Sequence, residues 1–316
     1  MLTFITCTKR QDPKFEWLFE SLANSWAHAG KPSAEWLIVD GCLWDDPERS
    51  AKISDLALTF SVPSVVHLTP KPTVWQGPAR LTKQDYWALN NARNTGIIHA
   101  SGDHLVLFDD CMVVDCNFVA RHAAAEARKI ALCGSFKSYT TATVVKGNIE
   151  QGDLHPIGTD SRGTTMQRGY GSWAWGLNFS VPLVYAVMAN GYDEMYDGQA
   201  GSDDCDFGVR LERLRCPLVF DPSCLVYQVL TTHEAVGGHA GWGTQDKISP
   251  KELQLKTGRI AFANEKLIEK LVEDPFRFLP LHTWTDIKSA RNTGIPGAIA
   301  DQPAVDWRDG QPLAEM

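Results

Sequence analysis

The sequence predicts an α/β protein built on an open mixed sheet flanked by helices. Three observations carry that reading: short apolar runs alternate with segments of helical period, the apolar runs are continuous, and they stop at acidic or glycine-bearing turns. Residues 2–7 form the first strand, closed by the polar stretch Thr8-Lys9-Arg10-Gln11. Asp12-Pro13 then offers a capping acid and a first-turn proline, and Phe15, Leu18, Phe19, Leu22 and Trp26 recur at helical spacing as far as Gly30. Trp36-Leu37-Ile38-Val39 reads as a buried parallel strand ending at Asp40-Gly41, and a helix over 51–58 and a strand over 65–68 repeat the rhythm. In such a sheet, ligands lie beyond the carboxyl ends of the strands.

Pro70, Pro72, Gly77 and Pro78 break the rhythm and mark a loop over 69–84 that carries Trp75 and Arg80 and lies over the site. A helix over 85–100 leads into a strand over 104–108 that ends at Asp109-Asp110, followed by a helix over 117–129 and a strand over 130–136. Residues 146–171, rich in Gly, Thr and Asp, read as irregular. Helical patterns return over 181–190 and 203–215, with strands near Leu218 and Leu225. A charged amphipathic stretch over 250–272 reads as a long surface helix, and the Gly-, Pro- and Asp-rich end from about Asp286 as a loosely ordered tail. This divides the chain into a catalytic domain, 1–249, and a C-terminal extension, 250–316. The hexapeptide Ala-Arg-Asn-Thr-Gly-Ile occurs at 92–97 and again at 290–295 with unmatched flanks, so it marks no structural repeat.

Composition narrows the function classes. With 44% hydrophobic residues the 316-residue chain can bury a substantial core. Lys plus Arg total 30 against 38 for Asp plus Glu, and the net charge of -8 argues against general nucleic-acid binding. The 8 cysteines form no C-x-x-C pair and no zinc spacing, so they read as reduced thiols of a cytoplasmic protein. No apolar run has the length of a transmembrane segment.

Three constellations carry chemistry. Asp109 and Asp110 close a hydrophobic strand, where an unpaired buried carboxylate is too costly to be core. They fit either a solvated turn or a site for a hard cation, Mg²⁺ or Mn²⁺, shared with substrate phosphates. Six acids lie between Asp193 and Asp206 on glycine-punctuated loops. Asp203 and Asp204 fall in the first turn of a helix capped by Ser202, where the dipole favours ionised carboxylates, as a general base requires. His233 sits in a Gly-rich loop and becomes a third metal ligand if that loop folds onto Asp110; the spacing to His239 is not that of a zinc protease. Loop tryptophans, Trp173 and Trp175 among them, offer platforms for sugar or base rings. A relaxed G-x-G-x-x-A match at 169–174 lacks a preceding strand and is discarded as a dinucleotide fingerprint.

Together these segments resemble the family 2 inverting glycosyltransferases with the GT-A fold and a galactosyltransferase-type C-terminal motif. Asn91-Ala92-Arg93-Asn94-Thr95-Gly96-Ile97 with Ala100-Ser101-Gly102-Asp103 is similar to that family's A-R-N-x-G…A-x-G-D run and is the most specific signal. Thr6 to Arg10 resembles the first strand and nucleotide-facing loop, and Trp36 to Gly41 the element whose acid contacts the base. Trp175-Gly176-Leu177-Asn178, Gly191-Tyr192-Asp193-Glu194 and 201–210 resemble the acceptor-side elements.

The resemblance implies transfer of a sugar from a nucleoside-diphosphate sugar, a UDP-sugar, to an acceptor hydroxyl with inversion. The acceptor stays open among glycan, protein and other hydroxyl compounds. Thr6, Thr8, Arg10, Asp40, Arg93, Asp109 and Trp175 would bind the donor. Asp204 would be the base with Asp203 beside it, and Asp109, Asp110 and His233 would hold Mn²⁺ or Mg²⁺. The D-x-D register falls on Asp109 and Cys111; because a hard cation prefers oxygen to a thiol, Asp110 is expected to replace Cys111. A metal-dependent nucleotidyltransferase and a degenerate, non-catalytic binder of nucleotide sugar or glycan are the alternatives.

Overall fold

A computed structural model describes residues 1–10, 12–43, 46, 48–71, 89–194, 203–229 and 286–293. The expected loop with Trp75 and Arg80, His233, and the amphipathic stretch over 250–272 lie outside the described residues. The first half follows the β/α rhythm: β1 (Leu2–Thr8), α1 (Phe15–His28), β2 (Ala34–Asp40), α2 (Arg49–Phe60), β3 (Ser64–Leu68), α3 (Leu89–His99), β4 (His104–Phe108), β5 (Met112–Val114) and α4 (Phe118–Arg128). Then come β6 (Ala131–Val145), β7 (Asn148–Thr159), β8 (Gln167–Arg168), a 3-10 turn (Gly171–Trp173), β9 (Asn178–Pro182) and α5 (Leu183–Met188). The described chain ends with α6 (Asp203–Arg213), β10 (Leu218–Val229) and α7 (Ile287–Thr293).

The sheet runs β3-β2-β1-β4-β9-β6-β10-β5, with β7 on β6 and β8 on β10. β1 to β4 are mutually parallel where paired, while β9 runs antiparallel to both β4 and β6. Alternate residues feed two cores. Leu2, Phe4, Trp36, Ile38, Val106 and Phe108 pack under α1 and α4. Ile5, Cys7, Leu37, Val39, Leu105 and Leu107 pack on the opposite face with residues of α3 and α6. Burial on both faces is why these strands read as unbroken apolar runs.

The structure departs from the sequence expectations at several elements. Helix α1 starts at Phe15 with Lys14 at its N-cap and no side-chain cap, while Asp12 pairs with Lys14 instead. The stretch expected to be irregular, 146–171, contains β7 and β8. Lys146 and Gly147 both take positive φ, 49° and 69°, which gives the tight turn joining β6 to β7. The resulting ribbon is largely exposed and polar, so it carries no apolar signal. The expected helix over 181–190 starts two residues later, at Leu183, because 178–182 is a strand buried between β4 and β6. The two strands near Leu218 and Leu225 are one strand, interrupted by a bulge between Asp221 and Leu225. Within the expected loose tail, α7 is ordered: Ile287 and Ala290 are buried, and Arg291 donates to the carbonyls of Ile97, Ile98 and Ala100 at the end of α3. The two copies of the hexapeptide thus meet through Arg291 of the second, which donates to the Ile97 carbonyl of the first, itself buried in α3.

Under β9 lies a buried polar node. Asn178 Nδ2 donates to the carbonyls of Ser135 and Cys224, which leaves its Oδ1 to accept from His122 Nε2 at 3.2 Å. His122 Nδ1 meets Ser180 Oγ at 2.9 Å. Burial lowers His122 to about 3 and, with help from the nearby N-terminal ammonium, His104 to about 4. Both are therefore folded in the neutral form. Their stabilising contribution is complete above the unfolded value of about 6.5 and is lost as pH falls below it, on the order of 2 kcal/mol per histidine by about pH 5. Carboxyls with raised values act in the opposite sense, so two variants must be compared. Denaturant unfolding at pH 7.5 and 5 should show a smaller acid loss for His122→Gln than for the parent; equal losses would exclude His122 as a source.

Candidate active site

The carboxyl ends of β1 and β4, the turn before β9 and the start of α6 converge on one cluster of charge. Arg93 leaves α3 and donates through Nη1 to Asp203 Oδ2 at 2.8 Å and to Asp204 Oδ1 at 2.6 Å. Its guanidinium also lies 4.8 Å from the centre of the Tyr192 ring. The Asp203 side chain is 8% exposed and that of Asp204 22%, so Asp204 is the acid open to a ligand. The Gly176 backbone lies beside Asp204, and its N–H favours the ionised form. A Cβ at Gly176 would overlap both the Arg93 guanidinium and Asp204, which explains the glycine of the Trp175-Gly176-Leu177-Asn178 element. Burial pushes the Asp204 carboxyl up to about 7, with Asp203 and Asp109 adding to the rise and Arg93 and the Gly176 N–H opposing it.

Asp109 is half-buried at the end of β4 and has no hydrogen-bond or ion-pair partner among the described residues. Burial raises it to about 6, with Asp110 and Asp203 acting in the same direction against Arg93 and Arg10. Asp109 and Asp204 therefore face one electrostatic centre from two elements far apart in the chain.

The neighbouring acid is differently placed. Asp110 Oδ2 accepts from Thr8 Oγ1 at 2.6 Å, and Oδ1 accepts from Arg10 Nε at 3.0 Å. Cys111 is 1% exposed, and burial, with Asp110 beside it, raises its thiol far above the usual range. It points toward β10, where it meets Gln228. A hard cation is therefore offered one available carboxylate here, Asp109. Among the described residues no group of three or more His, Cys, Asp or Glu is placed to hold a metal ion, so a cation here would take most of its oxygens from substrate phosphates and water. Asp110, expected as a ligand, holds Arg10 and Thr8 in place.

Two expected donor contacts are turned inward. Thr6 is fully buried and accepts from Trp36 Nε1 at 3.0 Å, because it shares the core-facing side of β1 with Phe4. Asp40 is also fully buried, accepting from Arg49 Nε at 2.7 Å and the Cys42 N–H at 2.8 Å, with His67 Nε2 at 3.2 Å. It underlies a cavity of about 270 Å³ lined also by Pro13, Phe15, Asp46 and Glu48. Trp175 is half-buried, with its ring against Phe136 and Arg162.

Several residues that shape the site were not among its expected members, although Asn94, Gly96 and Glu194 lie in the matched motifs. Lys71 and Glu194 form an ion pair of 2.7 Å with both side chains fully buried, joining the segment after β3 to the one after α5. Asn94 reinforces the junction, donating to Glu194 Oε1 and the Tyr192 carbonyl and accepting from the Tyr192 N–H. A Cβ at Gly96 would collide with Ile5 on β1. The A-R-N-x-G run is thus three packing demands within four residues: Arg93 is a cation for the acids, Asn94 an amide for Tyr192 and Glu194, and Gly96 a bare α-carbon against β1. Arg49, behind Asp40, and Arg162, behind Trp175, were likewise unexpected.

No family model and no curated protein matches the sequence. Solved structures do match. Staphylococcus aureus TarS 1–349 in complex with UDP-GlcNAc aligns at a TM-score of 0.51 and 11% identity, covering 81% of this chain and 64% of that one, under two thirds of its length. A second structure of TarS 1–349 aligns at a TM-score of 0.50 and 13% identity, covering 98% and 92%. The fold is of the GT-A type. Within it the charged cluster occupies the carboxyl ends of the parallel strands, where open α/β sheets bind ligands.

Removing the shared cation tests the cluster without assuming a reaction. Arg93→Met should destabilise the fold by about 3 kcal/mol, as loss of one partner from a buried ionic set does. It should also move the Asp204 titration above about 7. Urea midpoints and carboxylate carbon NMR read the two effects; an unmoved Asp204 would mean that Arg93 is not its counter-charge.

Proposed function

We propose that this protein transfers a sugar from a nucleoside-diphosphate sugar, a UDP-sugar, to an acceptor hydroxyl with inversion at the anomeric carbon. The observation that carries the reading is the convergence of Asp109 and Asp204 on one centre within a GT-A sheet. The UDP-GlcNAc bound to TarS supports a donor of the same class.

Asp204 takes the acceptor proton. One oxygen is fixed by Arg93, its side chain is the more open of the pair, and a carboxyl near 7 is a stronger base than an ordinary aspartate while still ionised in good part at neutral pH. The acceptor oxygen bonds to the anomeric carbon as the bond to the diphosphate breaks, and nucleoside diphosphate leaves with the pair of electrons. Asp203 keeps Arg93 centred. Asp109 would hold the divalent cation, which when bound offsets charge on the diphosphate. Arg10, fastened by Asp110, contributes fixed positive charge beside the donor site. The eight free thiols suit a reducing, cytoplasmic setting. Among the described residues no helix is long and apolar enough to cross a membrane.

A panel of nucleotide sugars, assayed by calorimetry with and without Mn²⁺ and by nucleoside diphosphate release, tests the reading. Asp204→Asn should keep donor affinity and slow transfer by a factor on the order of 10² to 10⁴, with the parent converting an α-linked donor to a β product. Pyrophosphate release from a nucleoside triphosphate, or a retained anomer, would overturn it. Separately, Asp109→Asn should abolish the Mn²⁺-dependent part of donor binding, while Asp110→Asn should lower the melting temperature and weaken donor binding with or without Mn²⁺. If Asp110→Asn removes the Mn²⁺ dependence and Asp109→Asn does not, the roles are exchanged.

A further inference from the structure

Arg162 lies in the loop between β7 and β8, outside every motif, yet its side chain is only 5% exposed. Each of its three nitrogens is committed. Nε donates to Asp160 Oδ1 and Oδ2 at 3.0 and 3.1 Å, and Nη2 to Asp160 Oδ2 at 2.7 Å. Nη2 also donates to the Gly134 carbonyl at 2.5 Å, and Nη1 to the Trp173 carbonyl at 2.8 Å. The flat guanidinium lies 4.0 Å from the Trp175 ring centre and 4.7 Å from that of Phe220. One side chain therefore grips the backbone at Trp173 and the indole at Trp175. The next residue is Gly176, whose backbone packs against Asp204: a Cβ there would stand 2.8 Å from Asp204 Oδ1.

The geometry points to Arg162 as a positioning residue for the base: it fixes the 173–176 turn so that the Gly176 backbone stays packed beside the Asp204 carboxylate. This rests on the role of Asp204 in the proposed function. The physical case is the rigidity of the fork. A lysine carries the same charge but can neither chelate Asp160 in a plane nor stack on an indole while reaching two carbonyls. Loosening the turn moves the Gly176 N–H dipole away from the ionised form of Asp204 and leaves Arg93 to oppose burial, Asp203 and Asp109 alone. Trp175 is held by the same contact, so the indole presented beside the base has one orientation.

The test compares Arg162→Lys and Arg162→Met with the parent. Both should lower kcat for transfer by about 10-fold or more, with acceptor KM changed less and donor affinity within about twofold, since Asp109 is untouched. The effect should be strongly non-additive with Asp204→Asn, because a residue acting through Asp204 has nothing left to act on once the base is gone. Carboxylate carbon NMR, with the Asp204 signal assigned by its loss in Asp204→Asn, should show its titration moved up by about one unit in Arg162→Lys. That readout needs no substrate. If the parent transfers no sugar but the titration moves, the proposed function fails and the positioning stands. If Arg162→Lys lowers the melting temperature while kcat and the Asp204 titration stay at parent values, Arg162 is only a structural rivet. Should both variants fail to fold, Asp160→Asn weakens the clamp while leaving Arg162 in place, and must move kcat and titration in the same directions; unchanged values would overturn the proposal.

Discussion

The structure of the site depends on one buried cation. Arg93 sits on a helix whose residues 90–98 are all buried, and it reaches the first turn of α6 more than a hundred residues later in the chain. Without it, Asp203 and Asp204 would be adjacent carboxylates in a low-dielectric turn, and one would have to take a proton to remain there. With it, the second half of the fold is pinned to the first at the point where chemistry requires a carboxylate. Tyr192 stacks on Phe207 at 4.2 Å and supports the guanidinium from below, so the cation is held by packing as well as by charge.

Around that cation the acids divide into committed and available. Arg10 engages Asp110 with both oxygens satisfied, and Arg93 engages Asp203 and one oxygen of Asp204. What remains is Asp109 and the open side of Asp204, the two carboxyls whose values burial raises to about 6 and about 7. Asp109 adds to the rise of Asp204, and Asp203 to the rise of both, so the acids of the site hold one another away from full ionisation. Positive charge placed beside Asp109 would lower both carboxyls. In the proposed reaction, a cation beside Asp109 would act on Asp204 through the field between the two residues, without a moving part.

Much of the fold was legible because the strands are buried on both faces and therefore announce themselves as apolar runs; Leu2 to Thr8 and Ala34 to Asp40 need no tertiary knowledge. The β6–β7 ribbon was not, because a solvated ribbon has no hydrophobic period and its identity rests on two consecutive positive φ angles. α7 was hidden for a different reason. Seven residues with two buried side chains make no periodic signal, and its order comes from contacts with α3 and α5. At the site, the sequence marks which acids matter but not how each is engaged. Asp109 and Asp110 are adjacent and chemically identical, yet the pleat turns one to the open site and the other onto Arg10. Cys111 looks like a lost ligand in one dimension and is a core thiol facing β10 in three.

The same contrast explains how a GT-A fold persists at 11–13% identity to its structural neighbours. The residues that the sequence makes conspicuous in 91–97 and 175–178 are chiefly those whose replacement would force two backbones apart or leave a buried polar group unpaired. Gly96 lets α3 approach β1, Gly176 lets a loop approach a guanidinium, and Asn178 satisfies two carbonyls and a histidine between strands. These are constraints of close approach, and few residue types meet each of them. Arg162, by contrast, performs its task from a loop of exposed, polar residues, and the pairing with Asp160 two positions away resembles any local turn. Motif legibility thus follows steric uniqueness more closely than distance from the chemistry. A residue can stand one contact behind the base and leave no mark on the sequence, provided its neighbours allow the chain more than one way to fill the space.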